Sequence, residues 1–263
     1  MRTLAIINLK GGTGKTVTAA NMAHILAVIH NKKVLLVDGD KQGNASRYFQ
    51  VYGEHDGTAA LLRADALDTE SVERTIYRTD YEGLDIITSN MDLYTTDREL
   101  YGDSADVSGK LAAALEYVKD DYDFCIIDNG PAVDMVTLNV LAAADDVLIP
   151  IRPDEFSFSG LLDLVEQVQA VQEGVNPGLT MQGAFFTHWQ NREAFIQARQ
   201  SLVDSGICPV LQTVINYNPK VSESTLEEKP LCAFSPRSWA AIQYKKLTAE
   251  YLNLTDSGKG KEG

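Results

Sequence analysis

The sequence contains no run approaching the roughly 18 consecutive apolar residues that a membrane span requires. Positive charge is in deficit: 23 Lys and Arg stand against 37 Asp and Glu, a net charge of −14. Cysteine is scarce. The three thiols, Cys125, Cys208 and Cys232, are far apart, odd in number and in no metal-ligand spacing, which argues against a disulfide framework and suits reduced packing residues. The opening stretch MRTLAIINLKGG is not a signal peptide, because its apolar segment leads straight into a glycine-rich turn. A cytoplasmic protein is therefore expected, and no internal repeat is visible. With 263 residues and 44% hydrophobic content, the chain can bury one large core, and a single α/β domain is the default.

Strand and helix patterns alternate, as they do in a doubly wound, mostly parallel sheet. Apolar runs predict strands at TLAII (3–7), KVLLVD (33–38), LDIIT (84–88), FCIID (124–128), DVLIPI (146–151), MQGAFFT (181–187) and LQTVIN (211–216). Helical spacing is clearest near 108–119, 136–144, 159–173, 193–204 and 238–252, whereas 52–82 and 90–107 are polar and rich in Gly and Asp, with short helical pieces. The closing segment TDSGKGKEG has no apolar residue to anchor it. A domain over 1–253 and a disordered polar tail over 254–263 are expected.

The stretch NLKGGTGKT, Asn8 to Thr16, lies between the first strand and the helical run TVTAANMAHILAVI. It ends like a phosphate-binding loop, Gly-x4-Gly-Lys-Ser/Thr, yet Leu9 stands at the first glycine position and Lys10 follows it. Gly11, Gly12 and Gly14 let the backbone approach phosphate oxygens, and the helix beginning near Lys15 aims free N–H groups at them. In this arrangement Lys15 reaches the β- and γ-phosphates and the Thr16 hydroxyl ligates Mg²⁺. A plain glycine turn accounts for the glycines but not for Lys-Thr at the helix start.

Ligands in open α/β sheets bind at the carboxyl ends of the strands, and two of these ends are acidic. Asp38 and Asp40 close LLVDGDKQGN, and Asp128 closes CIIDNGPA. Asp128 fits the Mg²⁺-side partner of a phosphate loop, acting on the ion or on its water. Asp40, one residue beyond the turn, is placed to orient an attacking water. Asp38 is placed either to support the Mg²⁺ shell or to cap the loop.

KGGTGKT, VLLVDGDKQGNAS and YDFCIIDNGPA together resemble the three nucleotide motifs of the ParA/MinD group of deviant P-loop ATPases. The likeness continues through VLIPIRPDEFSFSGLLDL and TVINYNPKVSESTLEEKPLCAFSPRSWAAIQYKKL, so it spans nearly the whole chain. It is nearest to the ParA branch of chromosome and plasmid partition ATPases, which carries the aspartate pair followed by PQGN and a late PRS segment. That resemblance implies a single-domain P-loop fold, ATP and Mg²⁺ as cofactors, and a homodimer in the ATP state. It also implies binding to DNA without sequence specificity, with hydrolysis stimulated by a ParB-like centromere-binding partner. Lys10 matches the family's signature lysine, which crosses to the partner's nucleotide phosphates, so hydrolysis becomes conditional on dimerisation, as with an arginine finger. Lys10, Gly11, Gly12, Thr13, Gly14, Lys15, Thr16 and Val17 are the implied ATP-binding loop. The ends of later strands supply the adenine contacts in the family, which points to Thr187 and Asn216.

The chain departs from the family pattern at Lys41, where a proline is usual, at Val17, where a second threonine is usual, and at Asn129, where a smaller or hydroxyl residue is usual. These changes bear on the hydrolysis rate and on the segment around Asp40. The acidic balance runs against DNA binding, but it is uneven: residues 190–263 carry 9 Lys and Arg against 8 Asp and Glu. Lys220, Arg237, Lys245 and Lys246 are the candidate DNA contacts there. The helix-turn-helix that precedes this domain in the larger partition ATPases is not expected here. A MinD-like membrane reading needs a basic amphipathic C-terminal helix, and the polar ending argues against it, so no membrane partner is expected. The alternative is an ATPase that positions a non-DNA cargo or acts as a regulatory switch on a mobile element.

Overall fold

Alternating residues of each strand face opposite sides of a sheet, and the apolar runs place hydrophobic side chains on both. The computed structural model describes residues 1–53, 57–103, 107–153 and 157–259. Its strands are β1 (Arg2–Ile6), β2 (Val34–Gly39), β3 (Ile76–Arg78), β4 (Leu84–Ile87), β5 (Phe124–Asn129), β6 (Asp146–Ile151) and β7 (Thr180–Phe186). They form one sheet in the order β3-β4-β2-β5-β1-β6-β7. Only the short edge strand β3 runs antiparallel to its neighbour; every other pairing is parallel.

Helices cover both faces: α1 (Lys15–His24), α2 (Asn44–Tyr48), α3 (Thr58–Arg63), α4 (Thr69–Glu73), α5 (Asp92–Gly102), α6 (Lys110–Glu116), α7 (Met135–Ala143), α8 (Ser157–Glu173), α9 (Glu193–Ser205), α10 (Pro219–Leu226), α11 (Leu231–Phe234) and α12 (Trp239–Lys259). A π-helical turn at Ile25–Ile29 extends α1. Ala5, Ile7, Leu35, Val37 and Ile127 pack under α3 to α9. Leu4, Ile6, Leu36 and Ile126 pack under α1, α2, α11 and α12. Truncating a fully buried residue such as Ile6 to alanine costs about 2–5 kcal/mol. All three cysteines are buried and free.

Asp146 anchors α12 to the sheet. Its carboxylate is fully buried and accepts hydrogen bonds from Arg2 Nη2 (2.9 Å), Gln182 Nε2 (2.7 Å) and the Tyr251 hydroxyl (2.8 Å). Helix ends follow local chemistry: Asp134 caps α7 by accepting from Thr137 N at 2.8 Å, and Asn218, followed by Pro219, caps α10.

Two expectations need correction. Residues 211–216 do not form a strand. Leu211 N and Ile215 N bond to β7 at either end of the segment, but Gln212 N and Thr213 N donate to the Glu250 carboxylate of α12 (2.7 and 2.9 Å), which takes the donors that a strand ladder would use. The final helix continues through 254–259, where a disordered tail is expected; Thr255 is buried and donates to Leu252 O at 2.9 Å, so the helix propagates past the last large apolar residue. Residues 260–263 lie outside the described residues. The short helical pieces expected in 52–82 and 90–107 appear as α3, α4 and α5, with the short strand β3 besides, and their apolar residues complete the core.

Candidate active site

The loop between β1 and α1 is held from several sides. Asn8 Nδ2 donates to Pro150 O of β6 at 2.7 Å, and Asn8 Oδ1 accepts from Lys10 N at 2.9 Å. Gly12 and Gly14 have φ of 72° and 91°, a region that residues with side chains rarely enter. Gly14 immediately precedes α1, so the first N–H groups of that helix open onto the loop. Lys15 is buried, and its Nζ donates to the Lys10 carbonyl at 3.1 Å. Burial lowers the Lys15 pKa, while Asp128 and Asp40 act in the opposite direction.

Sheet order carries the two acidic strand ends to this loop. β5 lies between β1 and β2, with Asp128 in register with Ile6 on one side and Asp38 on the other. A side chain on Gly39 would meet the Asp128 carbonyl oxygen at 2.9 Å, so only glycine permits this approach. Asp38 is fully buried and accepts from Asp40 N (3.1 Å), Ser46 N (2.8 Å) and Ser46 Oγ (2.7 Å). These contacts hold the turn after β2. Burial pushes its pKa up to about 6 despite the Ser46 donors.

Asp128 differs from Asp38. Among the described residues, neither of its buried carboxylate oxygens has a hydrogen-bond partner. Burial first and the nearby Asp38 second raise its pKa well above the usual carboxylate range, with Thr16 and Lys15 opposing. A buried carboxylate with no well-formed hydrogen bond among the described residues, opposed only by Thr16 and Lys15, fits a cation, because a cation would offset the charge that burial and Asp38 penalise. Asp40 is nearly buried; Gln42 N donates to its Oδ1 at 3.0 Å and Asn44 Nδ2 to its Oδ2 at 3.4 Å.

A cavity of about 520 Å³ opens over the loop, bordered by Gly11, Gly12, Lys15, Thr16, Asp40 and Arg47, among others. A second, of about 230 Å³, adjoins it at Gly12, Gly14 and Val17 and extends to Thr187, Tyr217 and Asn218. Thr187 thus reaches the second cavity, although its hydroxyl donates to Thr13 O at 2.8 Å. Asn216 borders neither cavity. Its N–H is held by Gln243 Oε1 at 2.9 Å, and the following residues Tyr217 and Asn218 line the second cavity.

Sequence reasoning also missed Arg47 and Arg152. Arg47 stacks its guanidinium 3.4 Å from the Tyr52 ring centroid while bordering the larger cavity. Arg152 Nη1 lies 3.8 Å from where a side chain on Gly12 would begin. Arg152 follows β6, so the rule that ligands sit at strand carboxyl ends was the signal for it; Arg47 had none.

The four candidate DNA contacts fall on the lobe formed by α10, α11 and α12. Lys220 pairs with Glu223, Arg237 and Lys246 are exposed, and Lys245 is half-buried. Its charge acts on His24 and Cys232. Among the described residues no helix is long and apolar enough to cross a membrane.

A mostly parallel sheet with a Gly-rich turn into a helix, a lysine at that helix start and acidic ends on neighbouring strands defines a P-loop nucleoside-triphosphatase fold. A family model described as an AAA domain matches residues 1–181. The chain is 36% identical over 258 residues to the chromosome-partitioning ATPase Soj of Treponema pallidum, covering 95% of this chain and 97% of that one. It is 35% identical over 249 residues to the sporulation initiation inhibitor protein Soj of Bacillus subtilis, covering 94% and 96%. Cobyrinic acid a,c-diamide synthase from Mycobacterium smegmatis, solved with ADP and magnesium, superposes with a TM-score of 0.84 at 27% identity, covering 98% of this chain and 96% of that one. The chain belongs to the Soj/ParA family of P-loop ATPases.

Proposed function

We propose that this chain is a Mg²⁺-dependent ATPase that segregates DNA by cycling between a monomer and an ATP-bound sandwich dimer. The observation that carries the reading is the buried Asp128 carboxylate, beside Lys15 and Thr16, with no well-formed hydrogen bond among the described residues. Lys15 leaves the Lys10 carbonyl for the β- and γ-phosphates, and the loop amides bind the remaining phosphate oxygens. Thr16 and Asp128 would hold Mg²⁺, with Asp38 supporting them through the turn that it fixes. When bound, Mg²⁺ would supply positive charge against that developing on the phosphates. Asp40 orients the attacking water, and Lys10 acts across the dimer on the partner's phosphates. Thr187, Tyr217 and Asn218 line the space for the base.

The relatives named as chromosome-partitioning ATPases support DNA as the cargo. In this reading the dimer binds DNA through Lys220, Arg237, Lys245 and Lys246, associates with the nucleoid, and is released when a ParB-like partner stimulates hydrolysis. The pairing of Lys220 with Glu223 and the net charge of −14 favour a second reading, in which the same switch positions a non-DNA cargo or regulates a mobile element. Equilibrium binding of a fluorescent ATP analogue tests the nucleotide assignment. Lys15→Ala abolishes tight binding; unchanged affinity would refute it.

A further inference from the structure

Lys41 and Asn129, two of the residues by which the chain departs from the family pattern, follow Asp40 and Asp128 and are joined through the start of α7. Lys41 Nζ lies 2.7 Å from Asp134 Oδ2 and 2.9 Å from Asp97 Oδ2 of α5, with the side chain only 19% exposed. Burial works against its charge, but the Asp134 and Asp97 carboxylates outweigh that effect and raise its pKa. Both carboxylates also bind α7. Asp134 Oδ1 accepts from Thr137 N at 2.8 Å, and Asp97 Oδ1 accepts from Val136 N at 3.2 Å. The Thr137 hydroxyl then accepts from Asn129 Nδ2 at 3.0 Å and donates to Ala132 O at 2.6 Å.

These contacts run without a break from the residue after Asp40 to the residue after Asp128. Asp40 sits in the gap that they span: a side chain on Gly130 would lie 3.5 Å from Asp40 Oδ1. We propose that Lys41, Asp134, Thr137 and Asn129 form a clamp that sets the spacing between the ends of β2 and β5, which makes Lys41 a positioning residue for Asp40. The proposal rests on the ATPase reading, in which Asp40 orients the attacking water. Without the ammonium, Asp97 and Asp134 face each other as poorly solvated like charges, and their repulsion opens the clamp. Nucleotide binding depends on the glycine loop, which the clamp does not touch, so the effect falls on turnover.

Turnover and ATP-analogue affinity measured together on Lys41 variants test this. Lys41→Met lowers kcat about 10- to 100-fold, the effect expected of a misplacement near 1 Å, while affinity stays within about twofold. Lys41→Arg keeps the ion pairs and retains most of the turnover. Adding Asp134→Asn to Lys41→Met removes the repulsion and keeps the α7 cap; it recovers part of the turnover that Lys41→Met loses. Lys41→Met combined with Asn129→Ala loses no more than the worse single variant, because both cut one chain of contacts. Unchanged kcat in Lys41→Met, or independent multiplicative losses in the double variant, would overturn the clamp. A parent protein without turnover, or an Asp40→Ala protein with full turnover, would instead sink the ATPase reading. Amide exchange over 129–137 then decides the clamp alone: faster exchange in Lys41→Met supports it, and unchanged exchange refutes it.

Discussion

Replacing Asp128 with asparagine should make the protein more stable and less able to use its ligand. Both Asp128 oxygens are buried without a partner among the described residues, and Asp38 stands at the facing position of the adjacent strand. Burial and Asp38 raise the Asp128 pKa, so its ionised form opposes folding. A buried polar group left unpaired costs about 1–3 kcal/mol, and more when charged. The amide removes the charge while keeping the shape, so the ligand-free variant should melt about 3–10 °C higher. The sign with pH follows from the raised folded pKa. The parent carries no penalty at low pH and acquires it as pH rises from the ordinary carboxylate value through the raised one, so the variant's advantage grows in the same direction. Adding Mg²⁺ and ATP reverses the order. At 100 times its Kd a ligand stabilises the parent by about 2.7 kcal/mol, whereas the variant lacks the charge that meets the cation and gains far less. Thermal denaturation followed by circular dichroism, with and without Mg²⁺ and ATP, measures all four states. A ligand-free variant that melts at or below the parent, or an equal ligand-induced rise in both proteins, would refute the reasoning.

Lys10→Ala should bind ATP but neither dimerise nor hydrolyse it, while Asp40→Ala should bind ATP and accumulate as a dimer; light scattering with and without ATP distinguishes them, and normal dimerisation of Lys10→Ala would make that lysine a bystander. The Asp40→Ala dimer should bind unrelated duplexes with an affinity that falls steeply as salt rises, and losing Lys220 or Arg237 should reduce that salt dependence by about one ion per phosphate contact. No ATP-dependent binding at low salt would favour a non-DNA cargo. His24 is buried edge-on to Tyr81, and burial together with Lys245 lowers its pKa to about 4. An unfolded histidine titrates near 6.5, so this stabilising contribution, about 3 kcal/mol, is complete above that pH and lost as pH falls toward 4. His24→Phe should flatten that limb of the stability profile; an unchanged slope would exclude His24 as its source.

The glycine loop was legible from the sequence because its signals are local: a strand, three glycines and Lys-Thr at a helix start lie within a dozen residues, and backbone sterics alone dictate what they form. Six of the seven expected strands appear near their expected bounds for the same reason, since an apolar run of strand length needs only a sheet to enter. The segment 211–216 has such a run too, but Glu250 of α12 takes its central N–H groups. Nothing near residue 212 encodes a carboxylate nearly forty positions away. The same holds in the site. That Asp38 and Asp128 each end a strand is visible in sequence, but that β5 lies between β1 and β2, setting the two side by side with Asp128 acting on Lys15, is a property of strand order. Arg47 and the ion pairs of Lys41 with Asp97 and Asp134 were equally hidden. Local pattern decides what a segment becomes through its own backbone and burial preferences, whereas the neighbours of a charge, and with them its ionisation and its role, arise only when distant segments are packed together.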